Sequence, residues 1–126
     1  MSRKRIKSFG YAFKGIATLF TSQPNARIHV TVLSLVILAG FFFKIERSEW
    51  LTIVLISALV LSAEAMNTAV EFVVDLVSPD YHPLAGKAKD VAAAAVLLAA
   101  FGAVVIGLII FLPKIKALFF LEKFWH

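Results

Sequence analysis

The chain has no cysteine. That excludes a disulfide framework and any thiolate metal centre. Its three histidines, His29, His82 and His126, are far apart in sequence and none forms an HExxH pair, so a zinc site has little to build on. The soluble nucleotide-binding motifs are missing as well: there is no GxxxxGK[ST] loop, no kinase glycine-rich loop and no HRD or DFG triplet. Charge is scarce, at 17% of residues, which is below the usual share of a soluble domain. No internal repeat or low-complexity segment occurs.

Apolar residues make up 60% of the 126 positions. A chain of this length forms one domain, and its composition places it in a membrane. Three apolar blocks stand out, at residues 28–43, 50–77 and 91–112. About 20 apolar residues span the hydrocarbon of a bilayer. With their flanks, the blocks predict transmembrane helices at about 27–44, 49–77 and 87–112. The second exceeds a simple span and extends into water by two or more turns.

A separate element precedes them. Ile6, Phe9, Phe13, Ile16 and Phe20 recur at helical spacing, while Arg5, Lys7, Tyr11 and Lys14 fall mostly elsewhere. This predicts an amphipathic helix over about residues 3–22, lying on the membrane surface. The plainer alternative is a basic flank that only sets topology. The basic residues lead into a mixed segment, not a continuous apolar core, so no secretory leader is expected.

The formal net charge of +5 is unevenly spread. A basic cluster suits nucleic acid or an anionic membrane, and here the apolar remainder decides for membrane and against nucleic acid. Arg3, Lys4, Arg5, Lys7, Lys14, Arg27, Lys87 and Lys89 fall on one side of the predicted topology. Lys44, Arg47, Lys114, Lys116 and Lys123 fall on the other. The bias predicts a cytoplasmic N-terminus and an outer C-terminus. It also puts the Ser78–Gly86 link inside the cell. In that link, Pro79 and Pro83 are expected to stop helix propagation and Gly86 to permit a turn. Pro113 is expected to end the last helix. Phe119, Phe120, Phe124 and Trp125 then suit an interfacial tail over residues 113–126, after a membrane domain at 1–112. Small residues from Ala92 to Gly107 let the last helix approach its neighbours closely, although a generic alanine-rich span reads much the same.

The second block carries its own contradiction. Within "SAEAMNTAVEFVVD", residues 62–75, stand Glu64, Glu71 and Asp75. Relative to Glu64 on a helix, Asn67, Thr68, Glu71 and Asp75 sit at about −60°, +40°, −20° and +20°. All five share a face. A carboxylate at the bilayer centre costs about 2.5–3.5 kcal/mol even on lenient scales, so such acids mark functional sites by default. Glu71 and Asp75 read two ways, as part of that site or as solvated groups in the aqueous extension.

Spacing divides the roles. Glu64 and Glu71 are about 10 Å apart along the axis and do not easily share one ion. Asn67 and Glu71 are one turn apart, and a carboxamide with a carboxylate suits Mg²⁺. Glu64, deeper and free of metal, can take a proton. Lys89 and Asp90 follow the start of the next helix, where anions are favoured. Lys89 suits a phosphate, although positive-inside flanking also accounts for Lys87. Phosphoryl transfer needs positioning, charge neutralisation and a base. A non-enzymatic ion or proton pathway is the alternative, but a relay needs polar groups across the whole membrane and the outer halves of these helices lack them.

The run "EAMNTAVEFVVDLVSPDYHPLAGKAKDVAAAAV", with "GYAFKGI" and "NARIH" before it, resembles the bacterial integral-membrane diacylglycerol kinase and undecaprenol kinase family. The resemblance covers about residues 4–112. It implies an all-α homotrimer in the bacterial inner membrane, each subunit with a surface helix and three transmembrane helices. Such an enzyme uses ATP and Mg²⁺ to phosphorylate the hydroxyl of a lipid, diacylglycerol or undecaprenol. By motif position Glu64 looks like the general base, and Glu71 with Asn67 like the metal ligands. The resemblance further implies ATP contacts at Glu71, Asp75, Asp80, Tyr81, His82, Gly86, Lys89 and Asp90. Lys4, Tyr11 and Lys14 look like N-terminal nucleotide or headgroup contacts. Lipid contacts are implied at Glu64, Arg27 and Ala93, the last standing where the diacylglycerol enzymes resemble one another in having serine. One position departs from the pattern: Gln23 stands where the family commonly has an acid that serves as a second metal ligand.

Gln23 offers a carbonyl oxygen without charge, so a catalytically weakened relative is a third reading. Gln23→Glu is expected to lower the magnesium concentration needed for half-maximal lipid phosphorylation. An unchanged magnesium dependence would show that another group already supplies that charge.

Overall fold

The computed structural model describes residues 2–125. His126, the last residue of the expected tail, lies outside that range. Four helices follow in order: α1 Arg3–Ser22, α2 Pro24–Phe43, α3 Arg47–Val77 and α4 Pro83–Trp125. The last three are long and apolar enough to cross a membrane. At 1.5 Å per residue, α3 is about 46 Å long and α4 about 64 Å, against roughly 30 Å of hydrocarbon. Both therefore project beyond the apolar layer.

The α2–α3 corner is built by backbone chemistry. Lys44 lies in the left-handed region, at φ 51° and ψ 54°. The Lys44 N–H donates to the Phe41 carbonyl at 3.3 Å and the Ile45 N–H to the Gly40 carbonyl at 3.1 Å. This is the Schellman pattern that satisfies the last carbonyls of a helix. A capping box opens α3: Glu46 accepts from the backbone of Glu49, while the Glu46 N–H donates to Glu49 Oε1 at 3.1 Å.

α3 and α4 form an antiparallel hairpin held at both ends. Glu49 Oε2 accepts from Lys114 Nζ at 2.7 Å, and Asp75 Oδ1 pairs with Lys89 Nζ at the other end. Glu49 to Asp75 spans about 39 Å of helix and Lys89 to Lys114 about 38 Å, so both ion pairs fit one register. Near the Glu49 end the apolar core gathers Ile45, Ile53 and Ile110, with Trp50 and Phe111 packed against them.

Three expectations are corrected. Pro113 does not end the last helix, because α4 runs through it to Trp125. A proline removes one backbone bond and crowds the carbonyl four residues earlier. Here the adjoining turn is anchored: Lys114 Nζ donates to the Ile110 carbonyl at 3.0 Å as well as to Glu49. Residues 114–125 are thus helical, with Phe119, Phe120, Phe124 and Trp125 exposed on a projecting helix. Gly86 makes no turn. It is helical, and its N–H donates to the His82 carbonyl at 3.1 Å. The helix expected from residue 87 starts at Pro83, since proline suits the first helical position, where its missing N–H costs nothing. By the same logic Pro24 opens α2.

Gly40 lets α2 pack tightly against the Trp50 ring of α3. A Cβ there would lie 2.5 Å from the Trp50 ring, and that ring also stacks obliquely on Phe41 with centroids 4.9 Å apart. Gly40→Ala is expected to destabilise the protein by about 1–3 kcal/mol through overpacking, read as a lowered thermal midpoint in detergent. An unchanged midpoint would mean that Trp50 swings clear at no cost.

Candidate active site

The polar stripe of α3 faces inward where it is deepest. Glu64 is 1% exposed, and Asn67 and Thr68 are also buried. Glu71 is half-buried and Asp75 exposed. The stripe therefore runs from interior to surface in chain order along one face of α3. The Thr68 hydroxyl donates to the Glu64 carbonyl at 2.8 Å, within the helix. It does not reach the Glu64 carboxylate.

That carboxylate has no hydrogen-bond partner at either oxygen. A basic side chain stands near it: His29 Nε2, from α2, lies 3.6 Å from Glu64 Oε2. Leaving a buried charged acceptor unmade is expensive, because water's hydrogen bonds have been given up without replacement. One turn further, the Asn67 carboxamide donates to Glu71 Oε1 at 3.3 Å, while Asn67 Oδ1 is buried with no partner. An orphaned carboxamide oxygen beside a carboxylate is a fitting donor pair for a hard cation such as Mg²⁺. The fit stops at two residues: among the described residues, no three His, Asp or Glu side chains gather to hold a metal ion. Gln23, in the break between α1 and α2, is half-buried.

Other residues singled out in the sequence are dispersed. Lys89 does reach the stripe, at Asp75. Asp80, Tyr81, His82 and Asp90 are exposed at the α3–α4 link and the start of α4, and Ala93 is exposed further along α4. His82 has a local duty, since its Nδ1 accepts from the Leu84 N–H at 3.1 Å and satisfies a donor at the start of α4. Lys4, Tyr11 and Lys14 are exposed on α1, with the Lys14 ammonium 5.8 Å from the Tyr11 ring centroid. Arg27 turns back onto α1, where Nε donates to the Phe20 carbonyl at 2.7 Å and Nη2 to the Thr21 carbonyl at 3.0 Å. It ties the end of α1 to the start of α2.

Two features were missed in the sequence. One is the His29–Glu64 approach. The other is an apolar cleft of about 400 Å³ between α2, α3 and α4. At the end nearest Glu64 it is lined by His29, Leu61 and Val60, and at the far end by Ile53 and Phe111. Inter-helix pairings of this kind leave no local pattern.

Comparison with known proteins is consistent with this arrangement. Residues 10–111 match the family model described as prokaryotic diacylglycerol kinase. An undecaprenol kinase of Bacillus subtilis is 40% identical over 109 residues, covering 86% of this chain and 89% of that protein. A diacylglycerol kinase of Synechocystis is 45% identical over 112 residues, covering 88% of this chain but only 64% of that longer protein. A diacylglycerol kinase of Escherichia coli K12 is 31% identical over 100 residues, covering 79% of this chain and 82% of that one. The matched span holds the whole stripe from Glu64 to Asp75 together with Lys89, and the chain belongs to the prokaryotic diacylglycerol kinase family of lipid kinases.

Proposed function

We propose that this chain transfers the γ-phosphate of ATP to the hydroxyl of a membrane lipid alcohol, diacylglycerol or undecaprenol, at the cytoplasmic face of a bacterial inner membrane. The observation that carries the reading is the Glu64 carboxylate, buried in an apolar bundle with both oxygens unpartnered. A carboxylate with a free oxygen there is placed to act as the general base toward a hydroxyl delivered to it. The apolar cleft ending one turn from Glu64 supports a substrate with a hydrocarbon chain, which it would hold with the hydroxyl toward His29 and Glu64.

The remaining roles follow the stripe outward. Asn67 and Glu71 would hold Mg²⁺ together with phosphate oxygens, with Gln23 as a neutral third donor. Magnesium, when bound, neutralises charge on the phosphates. Lys89 would exchange its exposed partner Asp75 for a phosphate, at small cost because an exposed ion pair is worth little. Lys4, Tyr11, Lys14, Asp80, Tyr81, His82 and Asp90 would complete the nucleotide site. They are scattered over the surface of one chain. That dispersal supports a homotrimer in which neighbouring subunits close each site.

Glu64→Gln keeps the shape of the side chain and removes its basicity. It is expected to leave folding and ATP binding intact and to lower lipid phosphorylation by at least about 100-fold, within the range general bases contribute. Near-normal turnover of that variant would remove Glu64 as the base.

A further inference from the structure

We infer that His29 is a positioning residue for this reaction, fixing the Glu64 carboxylate so that one oxygen is aimed at the incoming hydroxyl. The inference rests on the kinase reading above for its functional part, but the contact itself does not.

Glu64 has two buried oxygens and no donor bonded to either. Around a sp³–sp² torsion such as that of a terminal carboxylate, rotation is broad and poorly defined unless something holds it. Of the polar groups that point to the same region, Thr68 donates to the Glu64 backbone and the Asn67 carboxamide to Glu71. Arg27 is engaged with the α1 carbonyls. His29 Nε2 at 3.6 Å is the basic nitrogen poised on the carboxylate. Closing that gap by several tenths of an ångström makes a hydrogen bond of ordinary length. Catalytic hydrogen bonds are often long before substrate is present and tighten in the productive complex.

Position supports the role. His29 stands one turn inside α2, and Arg27, two residues earlier, ties that helix to α1. His29 also lines the end of the apolar cleft nearest Glu64, and its side chain remains 24% exposed. It therefore meets Glu64 on one side and the approach of a lipid hydroxyl on the other. Donation from Nε2 to Oε2 leaves Oε1 free for the substrate proton. Glu64 takes that proton as the hydroxyl oxygen bonds to phosphorus and the bond from phosphorus to the ADP oxygen breaks. His29 keeps its own proton throughout.

The test compares His29→Gln with His29→Leu in the full-length protein, assayed with ATP and a lipid alcohol in mixed micelles. Glutamine carries an N–H at about the reach of Nε2, and leucine fills similar space without a donor. His29→Leu is expected to lower kcat at least 10-fold with the KM for ATP within about twofold, and His29→Gln to recover most of that loss. Equal kcat in the leucine variant, or a glutamine variant as impaired as leucine, would overturn the positioning role. A second readout needs no turnover. The ¹⁵N resonance of His29 Nε2, assigned by its loss in His29→Gln, is expected to shift in Glu64→Gln, and an unmoved resonance would refute the contact. Absence of lipid phosphorylation in the wild type would count against the kinase reading, while the resonance still decides the pairing.

Discussion

Glu64 holds a carboxylate at 1% exposure in a chain that is 60% apolar. Insertion of such a group is tolerable only where it turns away from lipid and toward other helices, water or a cation. That requirement fixes the rotation of α3, since the face bearing Glu64 must look toward α1 and α2. Once Glu64 is turned inward, Asn67 and Thr68 follow it into the interior, and Asp75 emerges where the helix leaves the bundle. The gradient of burial along the stripe is therefore a geometric consequence of one constraint.

The rest of the fold keeps α3 in that rotation. Ion pairs at the two ends of the α3–α4 hairpin set its register, Glu49 with Lys114 and Asp75 with Lys89. They differ in burial, and so in what they contribute. The Lys114 pair is partly buried and also serves the α3 capping box and the turn after Pro113. The Lys89 pair is exposed and readily broken. A firm clamp at one end and a loose one at the other suit the proposed turn of Lys89 from Asp75 to a phosphate. Gly40 and the Lys44 corner bring α2 against Trp50, and Arg27 fastens α1 to α2. Together they place His29 beside Glu64.

The helices and the stripe were legible in the sequence because each depends on local pattern. Apolar runs close to or above the length of a bilayer crossing announce α2 to α4, and the recurrence of Ile6, Phe9, Phe13 and Ile16 announces α1. The helical spacing of Glu64, Asn67, Glu71 and Asp75 put them on one face before any contact was known. What could not be read was set by partners on other helices. Proline alone argues for a helix end at Pro113, yet Lys114 and Glu49 brace the turn beyond it. Glycine between two helices argues for a turn at Gly86, yet Pro83 opens the helix that runs through it. His29 looked like an isolated histidine because its partner lies on another helix.

Substrate choice remains the chemical question closest to this architecture, since relatives bearing both names match the chain over most of its length. The direct measurement supplies γ-labelled ATP and magnesium to the purified protein with diacylglycerol and undecaprenol at equal mole fraction, then follows label into each lipid. Label in a phosphorylated lipid, abolished by chelating magnesium, is the predicted result. A folded protein that binds ATP yet leaves both lipid alcohols unlabelled would contradict the assignment of Glu64 as a base for phosphoryl transfer.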